Sequence, residues 1–388
     1  MILKNCRLIP ELCEGFQEEF ADIRIEGDSI AEILPAGGSY TGEEVIDCTG
    51  KTVLPGLFNL HFHLFFNGDE FTRTRLRNET EIVFQGIKYL RELMAYGFTS
   101  LRDVGTQYNV AIKIRDEINA GRMVGPDLKA CGYILAPDQI RPPLGCYPGD
   151  YGWSVDDPYQ VRAAVRKQLA DGADFIKILG CSVAPGRRGD GPLFYEDEMR
   201  AFADTVAREG TYLAIHTNSP ESFDSAVSVD AYTIEHGHFM TKENLDGLIA
   251  HGFKSTIVPT LQITWAWGED VCKAHCASLR MAHDAGVLMG WGTDANEQSF
   301  MADPAGEFVG RSKVWGLSAA EILKQATINS AKINGTDGLR GSIKVGKRAD
   351  FAIFYGNPDE DITLFGKPCA HVLKDGKVIA ADGRVSAF

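Results

Sequence analysis

His61 and His63 stand two apart in "GLFNLHFHLFF", an apolar run at 56–66 that otherwise reads as a buried strand. Residues i and i+2 of a strand share a face and lie roughly 6.5 to 7 Å apart along it. Both imidazoles therefore point the same way while Phe62 packs on the other side. Neutral imidazole is a good ligand for zinc and similar ions. Two more histidines close apolar runs further on, His216 in "TYLAIHT" and His236 in "AYTIEHG". A lone buried histidine is more often a satisfied core residue, but a pair at i, i+2 with two more on neighbouring strands favours a metal.

Lys177, in "DFIKILG", shares a face with Phe175 and Leu179. An unpaired ammonium buried there costs several kcal/mol, and metal ions nearby raise the cost. Addition of carbon dioxide to Nζ would turn it into a carbamate anion whose two oxygens can bridge two metals. The alternative is a plain lysine paired to Asp294 or to a substrate carboxylate. Asp294 itself follows "MGWGT". A carboxylate there can ligate a metal and accept a proton from a water that the metal has made acidic; a helix N-cap is the alternative use. Cys272, His275 and Cys276 in "VCKAHCASL" lack a second ligand pair and read as a helix-surface trio rather than a zinc site.

The segments carrying these residues alternate with helix-length ones. Eight strand candidates follow one another: "GLFNLHFH", "FTSLRDVG", "DLKACGYIL", "DFIKILG", "TYLAIHT", "AYTIEHG", "KSTIVPT" and "VLMGWGTD". Between them lie segments such as "EIVFQGIKYLRELMAYG" and "DPYQVRAAVRKQLADGA", the latter with an Asp-Asp-Pro start and a stop at Gly172. Eight βα units predict an α/β fold, a (β/α)8 TIM barrel over 55–338, with an open doubly wound sheet as the alternative. In barrels the chemistry sits at the C-terminal ends of the strands, where these polar residues fall. No P-loop and no Gly-x-Gly-x-x-Gly stands at a strand–helix junction. The two ends, 1–54 and 339–388, are strand-rich, with turns at Gly27-Asp28-Ser29 and Asp375-Gly376. They predict one small composite β-sandwich domain made by both termini.

Composition narrows the partners. A net charge of −14 opposes binding to a phosphate backbone, so no nucleic acid is expected, only a small-molecule substrate. No apolar run is long enough for a membrane helix, so no membrane is expected. The first residues hold no continuous signal-peptide core. Nine scattered cysteines fit reduced thiols in a cytoplasmic protein better than a disulfide framework.

Taken in order, "GKTVLPGLFNLHFH", "GFTSLRDVG", "GADFIKI", "TIEHG", "GTD", "GSIKVGKRADFAIF" and "VLKDGKVI" resemble the amidohydrolase superfamily over nearly the whole chain. The nearest likeness is to the branch related to imidazolonepropionases, with its prolidase-like (Xaa-Pro or Xaa-Arg/Lys) dipeptidases. The resemblance implies a barrel, a β-sandwich built from both termini, and a binuclear centre. His61, His63 and Asp294 would hold one ion and His216 and His236 the other, bridged by carboxylated Lys177 and a hydroxide. It further implies that this hydroxide attacks a carbonyl carbon while Asp294, the catalytic residue, passes the proton to the leaving group. Glu235, beside His236, would face the other way on its strand and reads as structural. Two divalent ions, zinc by default, and a homo-oligomer complete what the resemblance implies.

The chain departs from that branch in two places. Its members carry Gly-Gly-His after the third strand and a tyrosine two residues past the fifth-strand histidine, both gripping a substrate α-carboxylate. Here "LAPDQIRPPLGCYPGDYGW" and Asn218 occupy those places. Arg141, Arg187 and Arg188 are candidate replacements. Asn218, His238, Arg141, Tyr151 and Trp265 are the candidate substrate contacts. Aromatic loops holding Tyr147, Tyr151, Trp153, Trp265 and Trp267 suit an apolar or ring-bearing substrate. The expected activity is metal-dependent hydrolysis of an amide-type C–N bond in a dipeptide, N-acyl amino acid or cyclic amide. Lactone or ester hydrolysis needs the same attack and stands as the alternative. A mononuclear deaminase would place a glutamate where Ser219 stands and would leave Lys177 without a role. A non-catalytic scaffold would have lost ligands, and all six are present.

Overall fold

The computed structural model describes residues 1–65, 78–137, 152–182 and 191–386. Five strands come first: β1 (Ile2–Arg7), β2 (Phe20–Glu26), β3 (Ser29–Pro35), β4 (Val45–Asp47) and β5 (Lys51–Pro55). β2 and β3 pair antiparallel up to Glu26–Ser29, leaving Gly27-Asp28 as a two-residue turn with Gly27 at φ 59°.

The middle alternates. β6 (Leu57–Phe62), α1 (Glu79–Ala95), β7 (Phe98–Asp103), α2 (Val110–Asn119), β8 (Asp127–Ala130), β9 (Ile134–Ala136) and β10 (Gly152–Ser154) lead to α3 (Pro158–Ala170) and β11 (Ile176–Leu179). Then come α4 (Glu196–Arg208), β12 (Leu213–Thr217), α5 (Pro220–Ser228), β13 (Thr233–His236), α6 (Lys242–Ala250), β14 (Thr256–Val258) and α7 (Glu269–Asp284). The helices start on local signals. Asn78 and Glu81 form a reciprocal capping box on α1, and Asp157 caps α3 ahead of Pro158. The strands β6, β7, β11, β12 and β13 are buried at every residue, as parallel strands covered on both faces must be.

All pairings in this region are parallel, in two runs: β6-β7-β8, and β10-β9-β11-β12-β13-β14. Two strand candidates differ from expectation. The third splits into β8 and β9 because Gly132, at φ 74°, breaks the extended backbone between them. The eighth, 287–294, is not a regular strand, yet it lies between β14 and β6. Ile257 donates to Leu288 O (3.1 Å), Gly290 to Ile257 O (2.9 Å) and Leu60 to Trp291 O (2.8 Å). Its irregularity has a steric cause: a Cβ on Gly292 would lie 2.6 Å from His61 Cβ, so the backbone approaches β6 closer than a side chain permits.

After α8 (Glu297–Ala302), α9 (Gly306–Gly310), α10 (Ala319–Lys324) and α11 (Ser330–Ile333), the chain returns as β15 (Phe351–Tyr355), β16 (His371–Lys374), β17 (Lys377–Ala381) and β18 (Arg384–Val385). These join the first strands in a nine-stranded sheet of order β18-β17-β16-β15-β5-β1-β2-β3, with β4 beside β1. The joint is the antiparallel β5–β15 pair, Phe351 opposite Pro55 through Tyr355 opposite Lys51. One core beneath it mixes Leu3, Cys6, Ile23 and Val53 with Phe351, Ile353 and Leu373, from the two ends of the chain. No helix among the described residues is long and apolar enough to cross a membrane.

Candidate metal centre

The six polar residues of the strand ends meet at one end of the parallel strands. His61 ends β6 with Phe62, and His63 follows at once. On β12 and β13 the register sets His216 opposite Glu235 and Thr217 opposite His236, while Lys177 on β11 stands opposite Ala214. The rings of His61 and His236 lie 4.5 Å apart between centroids, those of His216 and His236 4.6 Å, and those of His61 and His63 5.8 Å. Asp294 Oδ1 sits 3.4 Å from His61 Nε2 and 3.3 Å from His63 Nε2. The donor atoms of His61, His236 and Asp294 all lie within 4.8 Å of one another. His236 and Asp294 both adopt left-handed backbone, φ 65° and 53°; such strain in residues other than glycine gathers at functional sites.

Hydrogen bonds at the far nitrogens decide which ring atom faces the centre. His61 Nδ1 donates to Glu235 Oε2 (2.7 Å), His63 Nδ1 to Gly105 O (2.7 Å) and His236 Nδ1 pairs with Thr260 Oγ1 (2.6 Å). Each thereby turns Nε2 inward. His216 differs: its Nε2 lies 3.4 Å from Ser182 O. A tied outer nitrogen fixes the ring orientation that a metal-ligating imidazole needs.

The charge states fit as well. Burial, aided by the Lys177 charge, holds His216 and His236 well below the usual histidine value, so both are neutral donors. Burial also lowers Lys177, against the pull of Glu235 and Asp294. Asp294 is the reverse case. Burial opposes its charge, but His61 and His63 hold its carboxyl far below the usual range. Its side chain is 20% exposed, so it is both anionic and reachable. These donors fit a divalent ion: converging imidazole nitrogens, one carboxylate, and a lysine whose ammonium is disfavoured.

Of the candidate substrate contacts, Asn218 and His238 are buried beside the centre. His238 Nδ1 donates to Asn218 Oδ1 (2.5 Å), and Asn218 Nδ2 donates to Ser182 O (3.2 Å). The His238 ring stacks on His236 at 5.1 Å and meets Trp267 edge-on at 5.0 Å. Trp265 is 39% exposed. Arg141, Tyr147, Tyr151, Arg187 and Arg188 lie outside the described residues, as does the Trp153 side chain. Ser219 caps α5, accepting from Ser222 N.

Two sequence expectations need correction. Cys272, His275 and Cys276 are not on the helix surface: all three are buried on the inner face of α7, and His275 packs on His238 with centroids 4.1 Å apart. Nor does Glu235 turn away from the centre. It is fully buried under His61, bonded through Oε1 to Arg102 Nη2 (2.6 Å) and Thr233 Oγ1 (2.5 Å). Burial opposes its charge, yet Arg102 and then His61 hold its carboxyl at about 2. The signal was present in "SLRDVG" and "TIEHG": two opposite charges inside strands buried at every position have to meet.

The model of the amidohydrolase family matches residues 52–379. Among curated proteins, the imidazolonepropionase of Streptomyces avermitilis is 23% identical over 358 residues, covering 86% of this chain and 80% of that protein. Among solved structures, a Xaa-Pro dipeptidase with methionine bound in its active site superposes with a TM-score of 0.84 at 29% identity, covering 97% of this chain and 98% of that one. A prolidase complexed with N-methylphosphonate-L-proline gives 0.83 at 27% identity, over 98% and 99% of the two chains. Likeness of this extent implies a TIM-barrel-like α/β fold.

Proposed function

The chain belongs to the amidohydrolase family, in its imidazolonepropionase- and prolidase-like branch, and is a hydrolase of C–N bonds; from that premise we propose a metal-dependent amide hydrolase with a two-ion centre. The observation that carries the reading is the convergence of His61, His63 and His236 Nε2 on Asp294, beside His216 and a buried Lys177. His61, His63 and Asp294 would hold one ion, and His216 and His236 the other. Lys177 Nζ, favoured by burial as the neutral amine, would add to carbon dioxide with loss of one proton and so offer a carbamate anion as a further ligand. Bound divalent ions, zinc by default, would supply an acidified water and polarisation of a carbonyl. Asp294, anionic and partly exposed, takes the proton and returns it to the departing nitrogen. Asn218 and His238 form one polar wall and Trp265 an apolar rim, with Arg141 and Tyr151 as further contacts.

The substrate is a dipeptide, an N-acyl amino acid or a cyclic amide. The same reading takes the eight βα units as a closed barrel, 55–338, because residues 287–294 bond both β14 and β6. It takes 1–54 with 339–388 as the composite β-sandwich domain, supported by their shared core. A cytoplasmic homo-oligomer without nucleic-acid or membrane partners completes it; the cysteines among the described residues are buried and form no disulfide with one another, which favours a reducing compartment.

The test is a hydrolysis screen of dipeptides and N-acyl amino acids beside their C-terminal amides, cyclic amides and lactones, read by released amine or acid. Cleavage of free-carboxylate substrates alone supports a peptidase whose carboxylate grip has been replaced. Equal cleavage of the amides, or of rings only, removes the peptidase and leaves ring opening. Cleavage of lactones with no amide turned over overturns the C–N reading.

A further inference from the structure

Among the contacts described at the outer ring nitrogens of the centre's histidines, the one at His61 is to a charged group. His63 donates to the carbonyl of Gly105, His236 meets the hydroxyl of Thr260, and His216 faces the carbonyl of Ser182. Behind His61 stands a carboxylate, and behind that a guanidinium. We propose that Glu235, anchored by Arg102 and Thr233, is the positioning residue that fixes His61 as a metal ligand and so sets the affinity of the ion His61 holds. The inference rests on the two-ion reading above.

The hold is made at two points. Arg102 Nε donates to the carbonyl of Leu60 (2.7 Å), the residue before His61, so the guanidinium grips the ligand's own strand. Its Nη2 reaches Glu235 Oε1 (2.6 Å), and Glu235 Oε2 accepts from the ligand's ring (2.7 Å). Thr233 Oγ1 closes the loop, accepting from Arg102 Nη1 (3.1 Å) and donating to Glu235 Oε1 (2.5 Å). Arg102, Glu235 and Thr233 are fully buried, and Arg102 also lies over the Phe175 ring at 5.3 Å. Turning the His61 ring would break a charge-assisted bond and leave a buried carboxylate short of a partner, which is costly. Because Arg102 balances Glu235, the pair orients the ring while adding no net charge to the centre. Loss of such supporting partners typically costs about 10- to 100-fold in metal affinity.

β7 serves the second histidine by different means. Asp103, next to Arg102 and on the opposite face of the strand, accepts from Leu64 N (2.7 Å), Gly105 N (3.1 Å) and Thr106 Oγ1 (2.7 Å). It thus holds the turn whose Gly105 carbonyl fixes His63.

The experiment measures metal content by mass spectrometry and affinity by chelator competition. It follows the His61 ring tautomer by nitrogen-15 imidazole spectra of the metal-free protein. The proteins compared are wild type, Glu235→Gln, Thr233→Val and Thr233→Ser. Glu235→Gln and Thr233→Val are expected to lose about 10- to 100-fold in affinity for one ion while keeping the other. In both, the His61 signal broadens to a tautomer mixture; Thr233→Ser, which keeps the hydroxyl, restores wild-type behaviour. Thr233→Val removes no charge, so it serves if Glu235→Gln does not fold. Wild-type affinity for both ions together with a single Nδ1–H tautomer in the variants overturns the proposal. A wild-type protein that takes no metal overturns the two-ion reading instead, and the tautomer spectra still decide the part of Glu235.

Discussion

In the proposed mechanism Asp294 joins two demands in one carboxylate, a ligand atom and a proton acceptor. His61 and His63 hold it far below the usual carboxyl range against the effect of burial. It therefore stays anionic through the weakly acid range. Asp294→Asn keeps the shape and removes the charge; a loss of about 100- to 10,000-fold in kcat at saturating metal is expected from steady-state kinetics. A variant with near-wild-type kcat would remove Asp294 from proton transfer. At this scale the sequence pointed to the residues at strand ends, because two histidines at i, i+2 with two more on neighbouring strands outweigh the core reading of a single one. For Glu235 the buried charge was legible but its partner His61 was not, for a definite reason. A strand puts neighbours on opposite faces, and in a curved sheet the face opposite His236 is still interior. His275 was missed likewise, since helix periodicity alone did not say which side of α7 was inner.

Between the residue and the fold, two local devices hold the ends of the last strands. Gly292 lets residues 287–294 press on β6, where Thr293 and Asp294 both donate to the carbonyl of His61, at 3.1 and 2.8 Å. Gly292→Ala places a methyl 2.6 Å from His61 Cβ and 3.0 Å from Val258 Cγ1. Metal content is expected to fall along with thermal stability, measurable on the purified variant side by side. The second device is the buried pair Glu307–Arg311. Glu307 Oε2 accepts from Leu261 and Gln262 N, both at 2.8 Å, and Oε1 from Arg311 Nε at 2.7 Å. Arg311 in turn reaches Pro259 O (2.8 Å) and Gly290 O (3.0 Å), so one pair ties the segments after β14 to the irregular eighth one. Glu307→Gln leaves a buried guanidinium without its counter-charge and should destabilise the fold by about 3–5 kcal/mol in urea titration. A loss under about 1 kcal/mol would mean that the pair is not what staples these segments. Strand alternation and caps made most elements legible in advance. The eighth was expected as a strand, but its irregularity was not legible, because that depends on how near a glycine can approach another strand, which no periodicity records.

Over the whole molecule, burial of neutral histidines has a consequence for pH. Burial leaves His238 at about 3 and pulls His216, His236 and His275 well below the ordinary 6.5. Below that ordinary value the unfolded chain binds protons that the native chain refuses. The metal-free protein is therefore expected to lose stability as pH falls from about 7 to about 5, before its carboxylates titrate. His63, raised by Asp294 and Asp103 against burial, works the other way but is one group against five, since burial lowers His371 too. A urea midpoint that stays flat over that interval would contradict neutral burial. The alternation of the middle and the strand-rich ends were legible as two units, since both patterns are local. That the two ends share one sheet was a guess from symmetry of composition, now visible as the β5–β15 pair.

That pair also bears on the order in which the protein is made. β5 leaves the ribosome early, but its partner β15 follows roughly 300 residues later, some tens of seconds at about 5–20 residues per second. Through that interval β5 offers an unsatisfied edge, open to pairing with another nascent chain. The parallel strands and helices between them can collapse first, and the sheet that joins β5 to β15 closes only after them.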